Sequence, residues 1–431
     1  MQARYPLSAD LVLPVTESSQ DPPDNTSRLL WRIVVVLLPV ALLNYLDRQM
    51  LASMKFSVMA EITDIGKEGN WGLMLGQFKW VYAFFSPFGG WIADRFGRRF
   101  TICGSLFVWS AVTLWTGQVR SFQELMWARS LMGISEAFYI PAGLALIMDY
   151  HAGPTRSFAV GLHQMAIYCG VIIGGFAGYA ADHPSVGWRM PFIVCGIFGM
   201  IYAVPLAMLI RDRLVVRTEM KRPVHRSMID LARNGSFLLL VAYFTLPAMA
   251  AWIIRDWMPA ILKEQFQLTQ GLAGVSATLS WQLSAIVGVI GGGWLADRLM
   301  NHSNRGRIAV SATGMLLIVP AIFGVGYATN LTMAVLFLIL FGIGWGFFDG
   351  NNMPILSQIV PANQRATGYG IMNFFSISCG GFADWLMGFL RDQNVPLNLI
   401  FGQFALIAVI SVVCVLLIRP RTNLILEESQ R

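Results

Sequence analysis

Apolar runs of about twenty residues recur along the whole chain, and short polar segments separate them. The hydrocarbon core of a bilayer is about 30 Å thick, and a helix of about twenty residues crosses it. The pattern therefore predicts an all-α membrane protein with twelve transmembrane helices. The predicted spans are residues 31–58, 71–94, 100–119, 123–149, 157–181, 190–210, 236–259, 272–296, 308–328, 331–358, 367–390 and 396–418.

The composition agrees with this pattern, because 55% of the 431 residues are hydrophobic and only 13% are charged. A soluble domain carries about 25% charged residues, so a soluble fold is excluded. The five cysteines lie scattered through apolar spans without a CxxC motif or another metal-ligand spacing. We therefore expect neither a metal site nor a cofactor.

Lys and Arg predict the orientation, because cytoplasmic loops of membrane proteins are enriched in them. If the N-terminal tail is cytoplasmic, 21 of the 31 Lys and Arg fall on the cytoplasmic side, six fall on the other side and four lie within spans. We expect a multi-pass protein of the cell membrane with both termini in the cytoplasm. The net charge of +7 then reflects topology, and no nucleic-acid partner is expected.

The two halves of the chain resemble each other. Residues 89–95 read Gly-Gly-Trp-Ile-Ala-Asp-Arg, and residues 292–298 read Gly-Gly-Trp-Leu-Ala-Asp-Arg. Six helices in each half predict a parallel repeat about an axis along the membrane normal. The predicted organisation is a disordered tail at 1–28, a six-helix bundle at 29–210, a cytoplasmic linker at 211–235, a second bundle at 236–418 and a tail at 419–431.

The segment Gly90-x-x-x-Asp94-Arg95-x-Gly97-Arg98-Arg99 resembles the loop signature of the major facilitator superfamily, and the second copy is a stretched version of it. The resemblance implies two pseudo-symmetric bundles, transport by alternating access and a monomer in the lipid bilayer. An acid in this loop can accept hydrogen bonds from arginines and hold the halves shut on the cytoplasmic side. The predicted gating residues are Asp94, Arg95, Arg98, Asp149, Asp297 and Arg298, with Asp149 as a partner of Arg98 or Arg99.

Five ionisable residues fall within predicted spans of the N-terminal half: Asp47, Arg48, Lys79, Arg129 and Glu136. Each costs about 2.5–3.5 kcal/mol at membrane depth, so such residues indicate function. Three cations and two acids predict a net positive cavity, which protonation of either acid makes more positive. This charge balance favours an anionic substrate that enters together with a proton.

The C-terminal half offers mainly neutral hydrogen-bonding groups within its spans, which suit the hydroxyls of a substrate. These are Gln282, Asn351, Asn352, Asn373 and Ser376. Arg255 and Asp256 are neighbours near the end of the seventh span, and we expect them to pair at its rim. A charged N-terminal half facing a polar C-terminal half predicts a hydroxylated organic acid, such as a sugar acid.

A second resemblance is carried by the segment 44–48, Asn-Tyr-Leu-Asp-Arg, and by Arg129 with Glu136 seven residues later. Both are similar to motifs of the anion:cation symporters, which carry sugar acids and other organic anions. The resemblance implies protonation at Asp47 and Glu136. The predicted substrate-binding residues are Tyr45, Arg48, Lys79, Tyr82, Arg129, Gln164, Asn352, Asn373 and Ser376.

The same residues are also similar to the spinster-type transporters of lysolipids and sphingolipids, so that substrate class remains an alternative. Lys79 matches neither family, and either a second anion contact or a pair with Glu136 is open to it. An enzyme is disfavoured, because the chain contains neither an HExxH motif nor a Ser-His-Asp arrangement. A sensor that does not transport is a further alternative.

Overall fold

The computed structural model describes residues 24–151, 155–210, 224–361 and 364–424, and its regular elements there are helices. The side chains of residues 24–29, Gly90, Asp94, Arg156, Ser157, Val224 and His225 lie outside this description. Most of the predicted N-terminal tail, half of the predicted linker and part of the C-terminal tail also lie outside the described residues.

The N-terminal half contains nine helical segments and a 3-10 turn at Thr63–Ile65. The helices are α1 (Asp24–Ser53), α2 (Lys55–Glu61), α3 (Glu68–Phe96), α4 (Arg98–Thr116), α5 (Phe122–Ala137), α6 (Tyr139–Tyr150), α7 (Thr155–Gly175), α8 (Ala177–Asp182) and α9 (Arg189–Leu209). Helix α1 therefore begins within the predicted disordered tail.

The C-terminal half contains six long helices after a short one that lies in the predicted linker. These helices are α10 (Val224–Ala232), α11 (Gly235–Phe266), α12 (Gln270–Met300), α13 (Gly306–Tyr327), α14 (Leu331–Ile359), α15 (Arg365–Asp392) and α16 (Leu397–Leu417).

The predicted twelve-span architecture is confirmed. Among the described residues, nine helical segments are long and apolar enough to cross a membrane, with α5 and α6 counted as one span and α7 and α8 as another. Helices α3, α4 and α15, of 29, 19 and 28 residues, complete the twelve. In α3 and α15 the buried charges Lys79 and Asp384 contribute to the lower apolarity.

The fourth span is broken between α5 and α6, and a proline accounts for the break. Pro141 has no backbone N–H, and its ring clashes with the carbonyl group four residues earlier, that of Ala137. Helix α5 ends at Ala137. The break places Glu136 in the last turn of α5, at the centre of the membrane span Phe122–Tyr150.

The two halves pack closely at one end of the bundle, where α3 and α12 begin and α8 and α15 end. A Cβ atom on Gly76 would lie 2.6 Å from the carbonyl oxygen of Gly381, and one on Gly178 would lie 2.4 Å from that of Gln270. Only glycine permits such approaches between helices. We call this end the closed end.

Carboxylates of each half accept hydrogen bonds from the other half at the closed end. Asp392 accepts from the backbone N–H groups of Glu68 and Gly69, at 3.0 and 2.8 Å. Asp182 accepts from the Nε2 atom of Gln270 at 3.2 Å and from the N–H of Gly271 at 2.8 Å. These bonds provide acceptors for the first N–H groups of α3 and α12, which lack partners within the helix. The negative charge of each carboxylate also interacts favourably with the helix dipole.

Candidate substrate and proton site

Arg48 on α1 pairs with Glu136 on α5. Its Nε atom donates to Glu136 Oε2 at 2.7 Å, and its Nη2 atom lies 2.5 Å from the same oxygen. The side chain of Glu136 is fully buried and that of Arg48 is 8% exposed. The pair of Glu136 with Lys79, which the sequence left open, is therefore not formed, because Arg48 is the partner of Glu136.

Asp47 lies beside this pair and brings a second carboxyl group. Thr113 Oγ1 donates to Asp47 Oδ2 at 3.2 Å. The other oxygen, Asp47 Oδ1, and Glu136 Oε1 have no hydrogen-bond donor among the described residues. The two carboxyl groups are close enough to interact electrostatically. A proton on either one would turn it into a donor to the neighbouring carboxylate.

Arginine side chains and aromatic rings alternate through the centre of the molecule. The guanidinium carbons of Arg129 and Arg48 lie 4.2 and 4.7 Å from the centre of the Phe78 ring. Those of Arg48 and Arg255 lie 4.7 and 5.1 Å from the centre of the Tyr45 ring. We call these five side chains the cation–aromatic ladder. Aromatic faces attract cations, so the rings hold the guanidinium groups in place.

Tyr82 completes the wall around Arg48, with its ring centre 4.9 Å from the guanidinium carbon. Tyr82 is buried and Tyr45 is half-buried. The structure thus brings six predicted site residues together. They are Tyr45, Asp47, Arg48, Tyr82, Arg129 and Glu136.

Arg255 joins this site from the C-terminal half, which the sequence analysis did not foresee. Its guanidinium group lies against the rings of Trp252 and Trp281, at 4.8 and 5.6 Å. No carboxylate of the described residues lies within ion-pair distance of it. The predicted rim pair with Asp256 is therefore wrong, because Asp256 binds another cation.

Lys79 is that cation. Its Nζ atom donates to Asp256 on α11 and to Asp384 on α15. All three side chains are buried. These bonds correct the suggested pair of Lys79 with Glu136, whereas its role as a substrate contact stays a prediction. The sequence analysis missed Asp384, although it stands within the predicted span 367–390 and the rule that selected Asp47 would have found it.

A second charged cluster lies at the closed end. Lys55 donates to Glu68, and Arg391 donates to Glu264 and lies 3.7 Å from Glu68 Oε2. Burial lowers the pKa of the Lys55 amine to about 8, against the opposing effect of the Glu68 carboxylate. These pairs tie α2, α3, α11 and α15 together.

Buried amide groups with open hydrogen-bonding capacity lie in the C-terminal half. Neither side-chain amide atom of Gln282 or of Asn352 has a partner among the described residues, and Asn351 Oδ1 has none. Buried polar atoms normally have partners, so these are available to a ligand or to water. Ser376 is buried and Asn373 is half-buried.

The remaining predicted contact, Gln164, is half-buried on α7. No hydrogen bond described for it, or for Asn352, Asn373 and Ser376, joins these residues to Arg48. The nearby Tyr168 does connect the halves, because its hydroxyl donates to Asp349 Oδ2 on α14 at 3.1 Å.

Comparison with known proteins decides the family of this chain. Residues 37–383 match the family model described as Major Facilitator Superfamily. The chain belongs to the major facilitator superfamily. It is accordingly a multi-pass membrane transporter and not an enzyme.

Curated relatives of this superfamily member differ in what their names say they carry. It is 28% identical to an MFS-type efflux pump of Mycolicibacterium smegmatis over 85% of both chains. It is 26% identical to a probable L-galactonate transporter of Escherichia coli over 86% of this chain and 87% of that one.

A solved structure of a bacterial homologue of the human lysosomal transporter spinster, in an inward-facing and occupied conformation, superposes with a TM-score of 0.75. The two chains are 19% identical, and the alignment covers 93% of this chain and 97% of the other. The similarity confirms the fold.

Two ion pairs of the superfamily loops each join residues of the same half. Arg98 Nη1 lies 2.8 Å from Asp149 Oδ2, and both residues belong to the N-terminal half. Arg307 Nη2 lies 3.1 Å from Asp297 Oδ1 in the C-terminal half. The first pair confirms Asp149 as the predicted partner of Arg98. Neither of these two pairs crosses between the halves, and the Asp94 side chain lies outside the described part, so the gating role of these residues stays a prediction.

The two copies of the repeat nevertheless share one contact. The guanidinium carbon of Arg95 lies 5.8 Å from the Trp91 ring centre, and that of Arg298 lies 5.5 Å from the Trp294 ring centre. In both copies the arginine lies four residues after the tryptophan, one helical turn away. The repeat found in the sequence therefore extends to side-chain packing.

Proposed function

We propose that this protein is a secondary active transporter that carries a small organic anion, such as a hexuronate or an aldonate, together with a proton. The observation that carries the proposal is Arg255, whose guanidinium group has no carboxylate partner among the described residues and shares Tyr45 with Arg48 of the other half. A carboxylate bound beside Tyr45 would contact cations of both halves, and hydrogen bonds between two ionised groups are the strong ones.

The charge balance of the ladder supports anion binding. Three guanidinium groups lie in the ladder. Asp47 and Glu136 interact with them from the N-terminal half, and Asp349 of the C-terminal half interacts with Arg255 while it accepts from Tyr168. When one of these carboxyl groups carries a proton, one positive charge remains, which one carboxylate of a substrate would neutralise.

Proton coupling follows from competition for Arg48. In the structure the Glu136 carboxylate binds the Arg48 guanidinium group. A substrate carboxylate has to displace it, and a displaced, fully buried Glu136 carboxylate would lack a counter-charge. A proton on Glu136 or Asp47 removes this conflict. An anion and a proton then enter together with no net change in buried charge.

The unpartnered amides of Gln282 and Asn352 support a hydroxylated substrate, because hydroxyl groups both donate and accept hydrogen bonds. The similarity to a galactonate transporter points to the same substrate class. Together these observations favour a sugar acid over a simple fatty acid.

A lysolipid is the second candidate, and exposed aromatic rings favour it. Phe84 and Phe88 on α3 and Phe374 and Phe375 on α15 are between 40% and 61% exposed. They lie farther from the closed end than the hydrogen bond in which Trp80 Nε1 on α3 donates to the carbonyl oxygen of Ser378 on α15 at 3.1 Å. An acyl chain could lie along this apolar face while its phosphate bound the ladder.

The distribution of Lys and Arg supports a cytoplasmic location of both termini. With this orientation the closed end faces away from the cytoplasm, because α3 begins there after one span. The protein would then be closed to the outside in the structure.

Uptake by purified protein in proteoliposomes tests the proposal. Radiolabelled hexuronate, aldonate and lysolipid are offered with an inward proton gradient, with the gradient collapsed by an ionophore, and to protein-free vesicles. Gradient-driven accumulation of a sugar acid supports the proposal. Movement of lysolipid alone would establish the second candidate, and thermal stabilisation by a sugar acid without transport would indicate a sensor.

A further inference from the structure

Lys79, Asp256 and Asp384 form a buried cluster in which one ammonium group faces two carboxylates. Lys79 belongs to the N-terminal half, and both aspartates belong to the C-terminal half. The cluster therefore joins the halves between the closed end and the ladder. It is separate from the ladder, because none of its three residues contacts Tyr45.

The local packing holds these three side chains together in a buried position. Asp384 is fully buried, and its Oδ1 atom has no donor among the described residues. A Cβ atom on Gly72 would lie 2.3 Å from the Asp384 carbonyl oxygen, so glycine is required for α3 to approach. The Lys79 ammonium also lies 4.3 Å from the Trp252 ring centre, which excludes water from it.

The two aspartates stay together when the halves separate. Helices α11 and α15 pack within the C-terminal half, where a Cβ atom on Gly380 would lie 2.2 Å from Cδ1 of Trp252. Both carboxylates contact the same Lys79 nitrogen, so they are near neighbours. Separation of the halves withdraws Lys79 and leaves two adjacent buried negative charges, which repel each other strongly in a medium of low dielectric constant.

The other charged groups around the cluster do not replace Lys79. Arg129 on α5 interacts with Asp256 only at longer range and lies against Phe78. Arg255 on α11 is turned towards Tyr45. Nearer the closed end, Glu68 and Arg391 are engaged with Lys55 and Glu264. Asp47 and Arg48 on α1 belong to the ladder.

We infer that Asp256 and Asp384 form a binding site for a monovalent cation, which Lys79 occupies while the end is closed and which a proton or Na⁺ occupies when the halves separate. The inference rests on the proposed alternating access but not on the identity of the anion. Opening of this end then takes up one cation from the compartment that it faces. Low pH, or high Na⁺, on that side favours the open state.

Double electron–electron resonance measures the distance between two spin labels, one in each half, and therefore the fraction of open protein. The dependence of that fraction on pH and on Na⁺ reports the cation uptake. Ser185 and Gln267 are exposed, lie in the two halves at the closed end, and are changed to cysteine after the five native cysteines are replaced. Distances are recorded in nanodiscs without substrate, over a pH series, in NaCl and in choline chloride. A proton as the ligand predicts an open-to-closed ratio that rises by up to about tenfold per unit decrease in pH. Na⁺ as the ligand predicts a rise only in NaCl.

The variant Asp384→Asn leaves one lysine and one carboxylate, and we expect it to abolish most of this cation dependence. Asp256→Asn is the second variant, in case the first does not fold. Asp182→Asn is the matched control, because Asp182 also joins the halves at this end but has no lysine partner. It is expected to raise the open fraction at every pH and to retain the dependence.

Glu136→Gln in the labelled protein separates this inference from the proposed proton coupling. The cation dependence of opening is expected to persist in it, even if transport is lost. Cation dependence that survives in both aspartate variants, or that is missing from the parent protein in both salts, would overturn the inference. Loss of the dependence in Glu136→Gln alone would assign it to the ladder instead.

Discussion

The guanidinium carbon of Arg255 lies 5.1 Å from the centre of the Tyr45 ring, across the boundary between the two halves. Arg48 approaches the same ring at 4.7 Å. An anion bound at this ring would therefore draw the halves together from both sides. Such a contact links occupancy of the site to the relative position of the halves, which is what alternating access requires.

Arg255→Gln should weaken binding of the transported anion by about ten- to 150-fold. The variant removes a charge-assisted hydrogen bond, which contributes about 1.5–3 kcal/mol. Binding is measured by calorimetry in detergent. Lys263→Gln is the control, because Lys263 lies on the same helix but contacts Phe56 rather than Tyr45. Equal affinities of Arg255→Gln and the parent protein would remove Arg255 from the site.

Arg48→Gln should destabilise the folded protein, because it leaves Glu136 buried without its cation. Breaking a buried ion pair costs about 3–5 kcal/mol. The double variant Arg48→Gln/Glu136→Gln should recover most of the thermal stability while anion transport stays absent. The measurements are the midpoint of thermal unfolding and uptake into proteoliposomes. A double variant as unstable as the single one would show that the pair does not account for the loss.

Glu136→Gln should abolish proton-driven accumulation but retain exchange of substrate between the two sides. The amide keeps a partner for Arg48 but cannot release a proton. Counterflow and gradient-driven uptake are compared in the same vesicles. Glu124→Gln serves as the control on the same helix, since Glu124 is exposed and accepts from the N–H of Arg120. Accumulation at the parent rate would show that Glu136 does not carry the proton.

Gly76→Ala should hold the closed end apart. The added Cβ atom would lie 2.6 Å from the carbonyl oxygen of Gly381, a backbone atom that cannot rotate away. Overpacking costs about 1–3 kcal/mol, which corresponds to a shift of about five- to 150-fold in the open-to-closed ratio. The spin-label distances at Ser185 and Gln267 report it. Gly104→Ala is the control, because a Cβ atom there meets nothing within 4 Å.

The partners of the buried charges could be predicted less well than the spans. The sequence correctly selected Asp47, Arg48, Arg129 and Glu136 as buried in the membrane, because the cost of charge at that depth applies to each residue alone. It could not assign their partners. Arg129 and Glu136 are close along the chain, but Glu136 pairs with Arg48, which is 88 residues away.

Lys79 shows the same limit most clearly. Its partners Asp256 and Asp384 lie 177 and 305 residues away, and both belong to the other half. The interface between the halves brings them together, and no spacing within the chain encodes that interface.

The sequence by itself determined the twelve spans, the repeat and the membrane class. These depend on local apolarity and on segment length, which each stretch of the chain carries independently of the others. The tertiary structure decided which charges pair, which end is closed and that Arg255 lies against the same Tyr45 ring as Arg48. Those outcomes depend on distances between helices, and such distances arise only when glycine contacts such as that of Gly76 with Gly381 set the packing of one half against the other.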